Sequence, residues 1–317
     1  MRTKYLKIAA QGNVAALEQL LEEHPDYLSK QANHSRTLLW EATRSGKLEA
    51  VKYLVSRGAD VNATGCYNNE TYVQVTPFCA AKYYKRAAIA DYLWTNGSKL
   101  DVFRAAFLGD QKRVARMLKA KPDLINAEDP FDLIYLTPLL SFAVAGEHID
   151  LTEFLLKQGA VVEPYSAQLL YLAIKSNRMD WVDLLITHGA DISTSDPCSI
   201  VAASDINLIR YLLDKGAPTG PSSINGFPPL VFAARGDKGE HPEKIALLLE
   251  YGADVNAPGP TGKTALHYAT TAGHAKVIAL LLERGADASR KDNEGQTAMD
   301  IASAAGKTAL MSGWKLK

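Results

Sequence analysis

The sequence contains few cysteines, and they do not form a disulfide pattern. Only Cys66, Cys79 and Cys198 are present in the 317 residues, an odd number at wide spacing. Small disulfide scaffolds of secreted proteins are dense in cysteine and usually carry an even number. The cysteine content therefore favours a reducing compartment, and we expect the protein to be cytoplasmic.

The sequence also lacks an excess of charge of either sign. Lysine plus arginine and aspartate plus glutamate both number 35, so no net field attracts nucleic acid or an anionic membrane. No run of about 18 consecutive apolar residues could form a transmembrane helix. The first residues lead into a patterned helix rather than a signal-peptide core. We therefore expect neither nucleic-acid binding nor membrane binding.

A repeated unit is present instead, and it is clearest towards the C-terminal end. The triplet Gly-Ala-Asp at residues 252–254 returns at residues 285–287, 33 residues further on. Between the two triplets lie the segment Thr-Ala-Leu-His-Tyr-Ala at 264–269, the pair Gly-His at 273–274 and an apolar run at 277–282. The spacing and the order of these segments define one unit.

Each part of this unit has a physical reason. Thr264 can cap a short first helix by accepting from a backbone N–H. Residues 276–284 predict a second helix, because Val277, Leu280 and Leu281 fall on one helical face. Gly285 then ends it, since glycine adopts the left-handed conformation at low cost. Two helices of about ten residues cannot bury such a stripe alone, so neighbouring units are required.

A 33-residue period with a Thr-x-Leu-His-x-Ala signature resembles the ankyrin repeat. The resemblance continues through about ten units, with units one, four, seven and ten the weakest. It implies an all-α ankyrin-repeat solenoid of stacked helix-turn-helix units with β-hairpin-like fingers. We expect a single domain over residues 1–317, with capping repeats at 1–35 and 297–317 and central repeats at 36–296.

Two of the connecting fingers are unusually long, and both carry aromatic residues. They lie near residues 61–75, with Tyr67 and Tyr72, and at residues 126–136, with Phe131 and Tyr135. The finger after Gly97 is almost absent, so a gap is predicted between the two long ones. The aromatic side chains of these fingers either bind a partner or pack on their own loops.

The ankyrin resemblance implies a binding scaffold whose first helices and fingers form a concave face for partner proteins. We predict a non-catalytic, monomeric module that binds a protein or peptide around units two to five. The alternative is an enzyme or small-ligand-binding protein with its site on the finger insertions. The predicted binding set consists of aromatic residues near the fingers and two residues at the rim: Trp40, Arg44, Tyr67, Tyr72, Tyr83, Phe107, Phe131 and Tyr135. Trp40, at the rim, could instead belong to the core.

Residues 257–264 resemble a phosphate-binding loop, with Ala257 where the first glycine would be. Such a loop follows a buried strand and precedes a long helix, whereas this segment falls in a finger and Thr264 already caps a helix. His267 and His274 could be metal ligands, but the ankyrin motif carries histidine at both positions. Hydrogen bonding between turns is the favoured role. We therefore expect no cofactor and no metal.

Two further patterns could support catalysis, and neither is complete. Cys79 replaces the motif histidine of its unit, but the sequence designates no base for a nucleophile there. Ser141, His148 and Asp150 lie in one short segment without a nucleophile-elbow pattern. We predict that Cys79 is a small core residue and that the protein is not an enzyme.

One helix carries a dense run of positive charge that could contact phosphates or an acidic partner. Because the net charge is zero and no second cluster is as dense, a solvated convex face is favoured. The run consists of Lys112, Arg113, Arg116, Lys119 and Lys121.

Overall fold

The fold was examined in a computed structural model of the chain. The structure describes residues 4–32, 35–66, 73–131, 136–236 and 239–307. The chain divides into two compact units, Met1–Val161 and Val162–Lys317.

The first unit consists of consecutive pairs of short antiparallel helices. The first helices of neighbouring pairs pack together, α1 on α3, α3 on α5 and α7 on α9, while α2 packs on α4 and α4 on α6. The helices are α1 (Lys4–Gln11), α2 (Val14–Glu23), α3 (Leu38–Arg44), α4 (Leu48–Ser56), α5 (Pro77–Tyr83), α6 (Ala87–Thr95), α7 (Val102–Phe107), α8 (Gln111–Ala120), α9 (Leu139–Ala145) and α10 (Ile149–Lys157).

The second unit repeats this arrangement. Helices α11, α13, α15, α17 and α19 pack in order, and α14, α16 and α18 form the second layer behind them. The helices are α11 (Ser166–Lys175), α12 (Met179–Thr187), α13 (Pro197–Ile200), α14 (Ile206–Asp214), α15 (Pro229–Arg235), α16 (Pro242–Glu250), α17 (Ala265–Ala272), α18 (Ala275–Glu283) and α19 (Ala298–Ala304). The predicted all-α solenoid fold is confirmed.

The unit used to define the repeat folds as its sequence predicts. Thr264 begins α17 with a reciprocal capping box, in which His267 is the partner. The second helix α18 covers the predicted segment to within one residue at each end. Gly285 follows with φ of 89°, a conformation that costs glycine little and other residues more.

The fingers contribute the only strands in the described part of the chain. Strand β1 (Gly65–Cys66) pairs antiparallel with β2 (Gln74–Val75) and closes the base of the first long finger. The second long finger is closed by a single bridge between Glu128 and Pro138. After α6, the connection to α7 contains no strand. The described bases of the two long fingers therefore lie on either side of a very short connection.

Asparagine side chains join successive repeats, a feature that the sequence analysis missed. The amide of Asn62 donates to the Gly97 carbonyl (3.1 Å) and accepts from the Lys99 N–H (2.8 Å). Asn126 bonds in the same way to residues 159 and 161, and Asn256 to residues 285 and 287. Each amide satisfies one donor and one acceptor of the next repeat, which fixes the stacking.

The shortened seventh unit is completed by polar side chains from both neighbours. Its first helix, α13, has only four residues, so backbone groups at its end lack helical partners. Asn177 accepts from the N–H groups of residues 204 and 205, both at 2.9 Å. Lys244 donates to the carbonyls of Val201 and Ala203 at 2.8 and 2.7 Å. These bonds replace the missing helical turn.

Candidate functional site

The predicted binding residues divide into three groups. Tyr67, Tyr72 and Tyr135 lie outside the described residues. Arg44, Tyr83 and Phe131 are partly exposed, and the other two, Trp40 and Phe107, are buried. The surface that the structure describes is therefore smaller than the predicted one.

Trp40 belongs to the core, which is the alternative considered for it. Its side chain is 0% exposed, and its indole Nε1 donates to the Val75 carbonyl at 3.0 Å. The Arg36 guanidinium lies over the indole ring, 4.7 Å from its centroid, and Arg36 Nε donates to the Cys66 carbonyl at 3.0 Å. Trp40 and Arg36 thus hold both strands of the first finger. A partner cannot contact Trp40 without opening this packing.

Arg44 is half-buried and already has an ionic partner. Its guanidinium forms hydrogen bonds to both carboxylate oxygens of Glu41, from Nε at 3.1 and 3.3 Å. These bonds raise the pKa of Arg44, so the side chain is charged under all ordinary conditions. A partner that binds here meets a cation whose orientation is set in advance.

Tyr83 presents the central aromatic surface of this region. Its side chain is 39% exposed and its ring lies 5.6 Å from that of Phe107 and 5.2 Å, edge-on, from that of Tyr84. Burial raises the pKa of the Tyr83 phenol, so the hydroxyl stays neutral at physiological pH. Phe107, 1% exposed, supports Tyr83 from beneath, and its own ring is covered by the fold. The reason is its place inside the tightly packed α7.

Phe131 extends from the second finger and is 57% exposed. Its backbone N–H donates to Asp129 Oδ1 at 3.3 Å, and its ring faces the Arg104 guanidinium, 5.2 Å away. Arg104 in turn holds Asp129 through two bonds, Nη1 to Oδ1 at 2.7 Å and Nη2 to Oδ2 at 2.9 Å. Both side chains are buried. The buried ion pair therefore positions the exposed ring.

The sequence analysis missed Arg104 and Asp129. The signal was the arginine itself, which lies in the middle of the apolar helix α7. A charged side chain in such a place needs a buried partner. The identity of that partner could not be predicted, because Asp129 lies 25 residues away on the finger.

The catalytic candidates of the sequence analysis are engaged within the fold. Cys79 is buried, and burial raises the pKa of its thiol to about 12, so the nucleophilic thiolate does not form near neutral pH. Ser141 is buried as well, and His148 Nε2 donates to the Phe107 carbonyl of the preceding repeat at 3.0 Å. Across the ranges that the structure covers, no group of three or more His, Cys, Asp or Glu side chains could hold a metal ion.

The two motif histidines form hydrogen bonds between turns, as predicted. His267 Nδ1 accepts from the Thr264 N–H at 3.2 Å, and its Nε2 donates to the Gln296 carbonyl of the next repeat at 3.1 Å. His274 Nδ1 donates to the Ala234 carbonyl of the previous repeat at 3.2 Å. Burial lowers the pKa of His267, which keeps its ring neutral in this arrangement.

Lys263, the lysine of the phosphate-loop look-alike, has a structural position. Its Nζ lies 3.7 Å from Asp292 Oδ2. Burial by itself raises the pKa of Asp292. The backbone N–H groups of Gln296 and Glu294 and the charge of Lys263 together lower it by more, so the pKa lies below its ordinary value. The segment also leads into the eight-residue helix α17 rather than a long one. The loop therefore lacks the context of a nucleotide site.

None of the helices in the described ranges combines the length and the apolar character needed to cross a lipid bilayer.

Comparison with known families agrees with this architecture. A family model described as ankyrin repeats (3 copies) matches residues 6–104 and 102–196. A second, ankyrin repeats (many copies), matches residues 248–302. The chain belongs to the ankyrin-repeat family. Between the matched ranges lies the segment with the shortened helix α13.

The similar proteins are longer than this chain and are of several kinds. Ankyrin repeat protein nuc-2 of Neurospora crassa is 25% identical over 305 residues, covering 86% of this chain and 27% of that protein. Palmitoyltransferase ZDHHC13 of Homo sapiens is 29% identical over 198 residues, covering 56% and 29%. Ankyrin repeat and SOCS box protein 6 of Homo sapiens is 34% identical over 106 residues, covering 30% and 25%. This chain spans less than a third of each.

Among solved structures, the ankyrin repeat domain of Bcl-3, of the IkappaB protein family, is similar with a TM-score of 0.52. The two share 21% sequence identity over 68% of this chain and 99% of that chain, a likeness that concerns the fold alone. Ankyrin repeats are generally protein–protein interaction modules, and their fold is typically a non-catalytic scaffold whose stacked repeats offer extended binding surfaces.

Proposed function

We propose that this chain is a non-catalytic interaction module that binds a partner protein or peptide. The proposed contact surface comprises Arg44, Tyr83 and Phe131, with Tyr67, Tyr72 and Tyr135 of the fingers as further contacts. It acts as a monomer in the cytoplasm, in keeping with three cysteines that are buried and form no disulfide bond.

The observation that carries the proposal is the exposed ring of Phe131 held by a buried ion pair. The fold covers one side of the Phe131 ring with the Arg104 guanidinium but leaves 57% of the residue exposed. The structure nevertheless uses two wholly buried charges to hold this finger, an arrangement that costs desolvation. A ring that is oriented by such contacts before binding loses less entropy when it meets a partner.

Tyr83 supports the same conclusion from the neighbouring repeat. Aromatic side chains that are backed by core packing are enriched among residues that dominate binding energy. Tyr83 rests on the buried Phe107, and its neutral hydroxyl can donate or accept a hydrogen bond. Arg44 adds a guanidinium whose orientation is set by its ion pair with Glu41. Together these groups suit a partner that offers an apolar residue next to a hydrogen-bonding one.

The alternative of an enzyme or a small-ligand-binding protein is not favoured by a specific observation. The candidate nucleophile Cys79 is buried with a raised thiol pKa, and His148 and Lys263 are engaged in contacts within the fold. We therefore propose no catalytic activity for this chain.

Affinity capture from the native source, followed by quantitative mass spectrometry, tests the proposal. The baits are the parent chain, a Tyr83→Ala/Phe131→Ala variant and a control, Ile224→Ala, which removes an apolar side chain that is 79% exposed in the second unit. We expect a partner retained by the parent and the control and depleted about tenfold or more by the double variant. Equal capture by all three folded baits would place the contact surface elsewhere.

A further inference from the structure

A second surface, distinct from the one above, lies between the third and fourth helix pairs. A groove of about 400 Å³ opens there, and its apolar lining comes from Phe78, Trp94, Leu100 and Leu108. The Trp94 side chain is 45% exposed, and its ring lies 5.1 Å from that of Phe78. Burying this indole requires a ligand, because the chain itself leaves nearly half of it in water.

The groove follows from the short finger. Only residues 98–100 separate the turn after α6 from the cap of α7. In this unit α3 packs closely on α5 and α7 on α9, whereas α5 and α7 approach each other at fewer points. The equivalent connections of the neighbouring repeats are long, but this one is too short to cover the groove. Its residue Leu100 lines the groove instead.

The polar lining of the groove contains two cations, one in an ion pair and one lying over an aromatic ring. Arg113 Nε donates to Asp110 at 3.0 Å, and Asp110 also caps α8 by accepting from the Arg113 N–H at 3.0 Å. Lys82 Nζ lies 5.8 Å from the centre of the Phe78 ring, above its face. Asp91 is the remaining lining carboxylate.

Helix α8 adds positive charge along one edge of the groove. Its sequence contains four cations and no acidic residue. Lys112, Arg116 and Lys119 are exposed, and at about 100° per residue they form one stripe, with Arg113 on the flank between the stripe and the groove. Within the described ranges, no ion pair reaches any of these three side chains, so their charge is open to a partner.

We propose that the groove and the basic stripe of α8 together bind an acidic segment of a partner protein, which inserts one large apolar side chain against Trp94. The volume of the groove suits an aromatic side chain and the adjoining backbone. Three exposed cations in a row complement carboxylates on the same segment. Nucleic acid fits less well, because the chain has no net positive charge and Asp91 would repel a phosphate at the groove.

The binding of a defined probe to the full chain tests the proposal. The probe is a fluorescein-labelled 12-residue peptide of glutamate and serine with one central phenylalanine, and binding is followed by fluorescence anisotropy. Three matched ligands are measured beside it: the same peptide with alanine for phenylalanine, the same peptide with lysine for every glutamate, and a single-stranded 12-residue oligothymidylate. We expect saturable binding only of the first, weakened by added salt.

Variants of the chain locate the site. Trp94→Ala and Lys112→Glu/Arg116→Glu are each expected to weaken the probe about tenfold. The control Lys4→Glu/Lys7→Glu makes the same change of net charge on exposed positions of α1 and should leave the Kd within about twofold. Asp91→Asn removes the opposing carboxylate and should tighten binding severalfold, a gain that misfolding cannot produce. Phe131→Ala, in the surface of the proposed function, should have no effect.

The outcomes are decisive in both directions. Loss with Trp94→Ala and with the α8 reversal, together with the gain from Asp91→Asn, supports the proposal. The proposal is overturned if no saturable binding is seen up to about 1 mM probe, because a Kd above that value means negligible affinity. Stronger binding of the oligothymidylate, or equal loss in the α1 control, would also overturn it. Because Phe131→Ala is measured separately, failure here leaves the proposed function untouched, and the reverse holds as well.

Discussion

Arg104 and Asp129 form a two-bond ion pair in which both side chains are wholly buried, with Nη1 and Nη2 each 2.7 to 2.9 Å from a carboxylate oxygen. Arg104 stands on the first helix of the fourth repeat and Asp129 on the second long finger. The pair therefore links the position of a finger to the core. Arg104 has a second, longer contact to Asp101 Oδ2 at 3.3 Å, but Asp129 is its only wholly buried ionic partner among the described residues. The finger conformation is therefore sensitive to either member of the pair.

Asp129→Ala is expected to lower the free energy of unfolding by about 3 kcal/mol, because it leaves the Arg104 charge buried without its main partner. Urea denaturation of the full chain measures the change. The matched control is Arg113→Ala, which breaks the partly exposed pair with Asp110 and should cost less than about 1 kcal/mol. Equal losses of stability in the two variants would show that the buried pair contributes no more than the partly exposed one.

Stability should fall as the pH drops through the range in which histidine titrates. The pKa of His267 is lowered in the fold by burial, so the unfolded chain takes up a proton first, near its ordinary value of about 6.5. The contribution of the neutral ring is thus fully present above that pH and is lost as the pH falls through the lower, folded-state value.

Urea midpoints between pH 7.5 and pH 5 test this dependence. His267→Gln should flatten the profile, whereas His188→Gln, at an exposed position, should retain the drop. The aspartates with lowered pKa, such as Asp300, lose stability only below about pH 4, so they do not contribute to this window. A parent profile that is flat over the same range would contradict the prediction.

Asn256→Ala should reduce stability by about 1 kcal/mol, since it removes one accepted and one donated hydrogen bond to the next repeat. The comparison is Asn96→Ala, whose side chain bonds only within its own repeat, to the Tyr92 carbonyl. Thermal unfolding of both variants provides the measurement. A smaller effect at Asn256 than at Asn96 would mean that the asparagine links do not strengthen the stacking.

Native-state hydrogen exchange should show the weakest protection in the seventh unit, around α13. Repeats stabilise chiefly their neighbours, and this unit has a four-residue first helix completed by side chains from outside it. The ninth unit, with full-length α17 and α18, should be strongly protected. Protection that is highest at α13 and lowest at α17 would refute the expectation.

Much of the architecture was predictable because it depends on local chemistry. The helix ends are set locally, by the cap at Thr264 and by the glycines Gly273 and Gly285. The spacing of Val277, Leu280 and Leu281 places them on one helical face, which needs a neighbouring repeat to cover it. The long and short fingers followed from residue counts alone. For the same reason the roles of His267 and His274, which repeat with the motif, were predicted correctly.

The candidate site was less predictable, because exposure is a property of packing between repeats. Trp40 and Phe107 have the same aromatic character in the sequence as Tyr83 and Phe131, yet the first two are buried and the others are open to solvent. Only the tertiary structure brings Arg104 to Asp129, Lys244 to the end of α13 and Trp94 to an uncovered groove. The contacts of Arg104 and Lys244 join residues 25 and 43 positions apart. The repeat pattern does not indicate which side chain occupies a position where one repeat differs from the others.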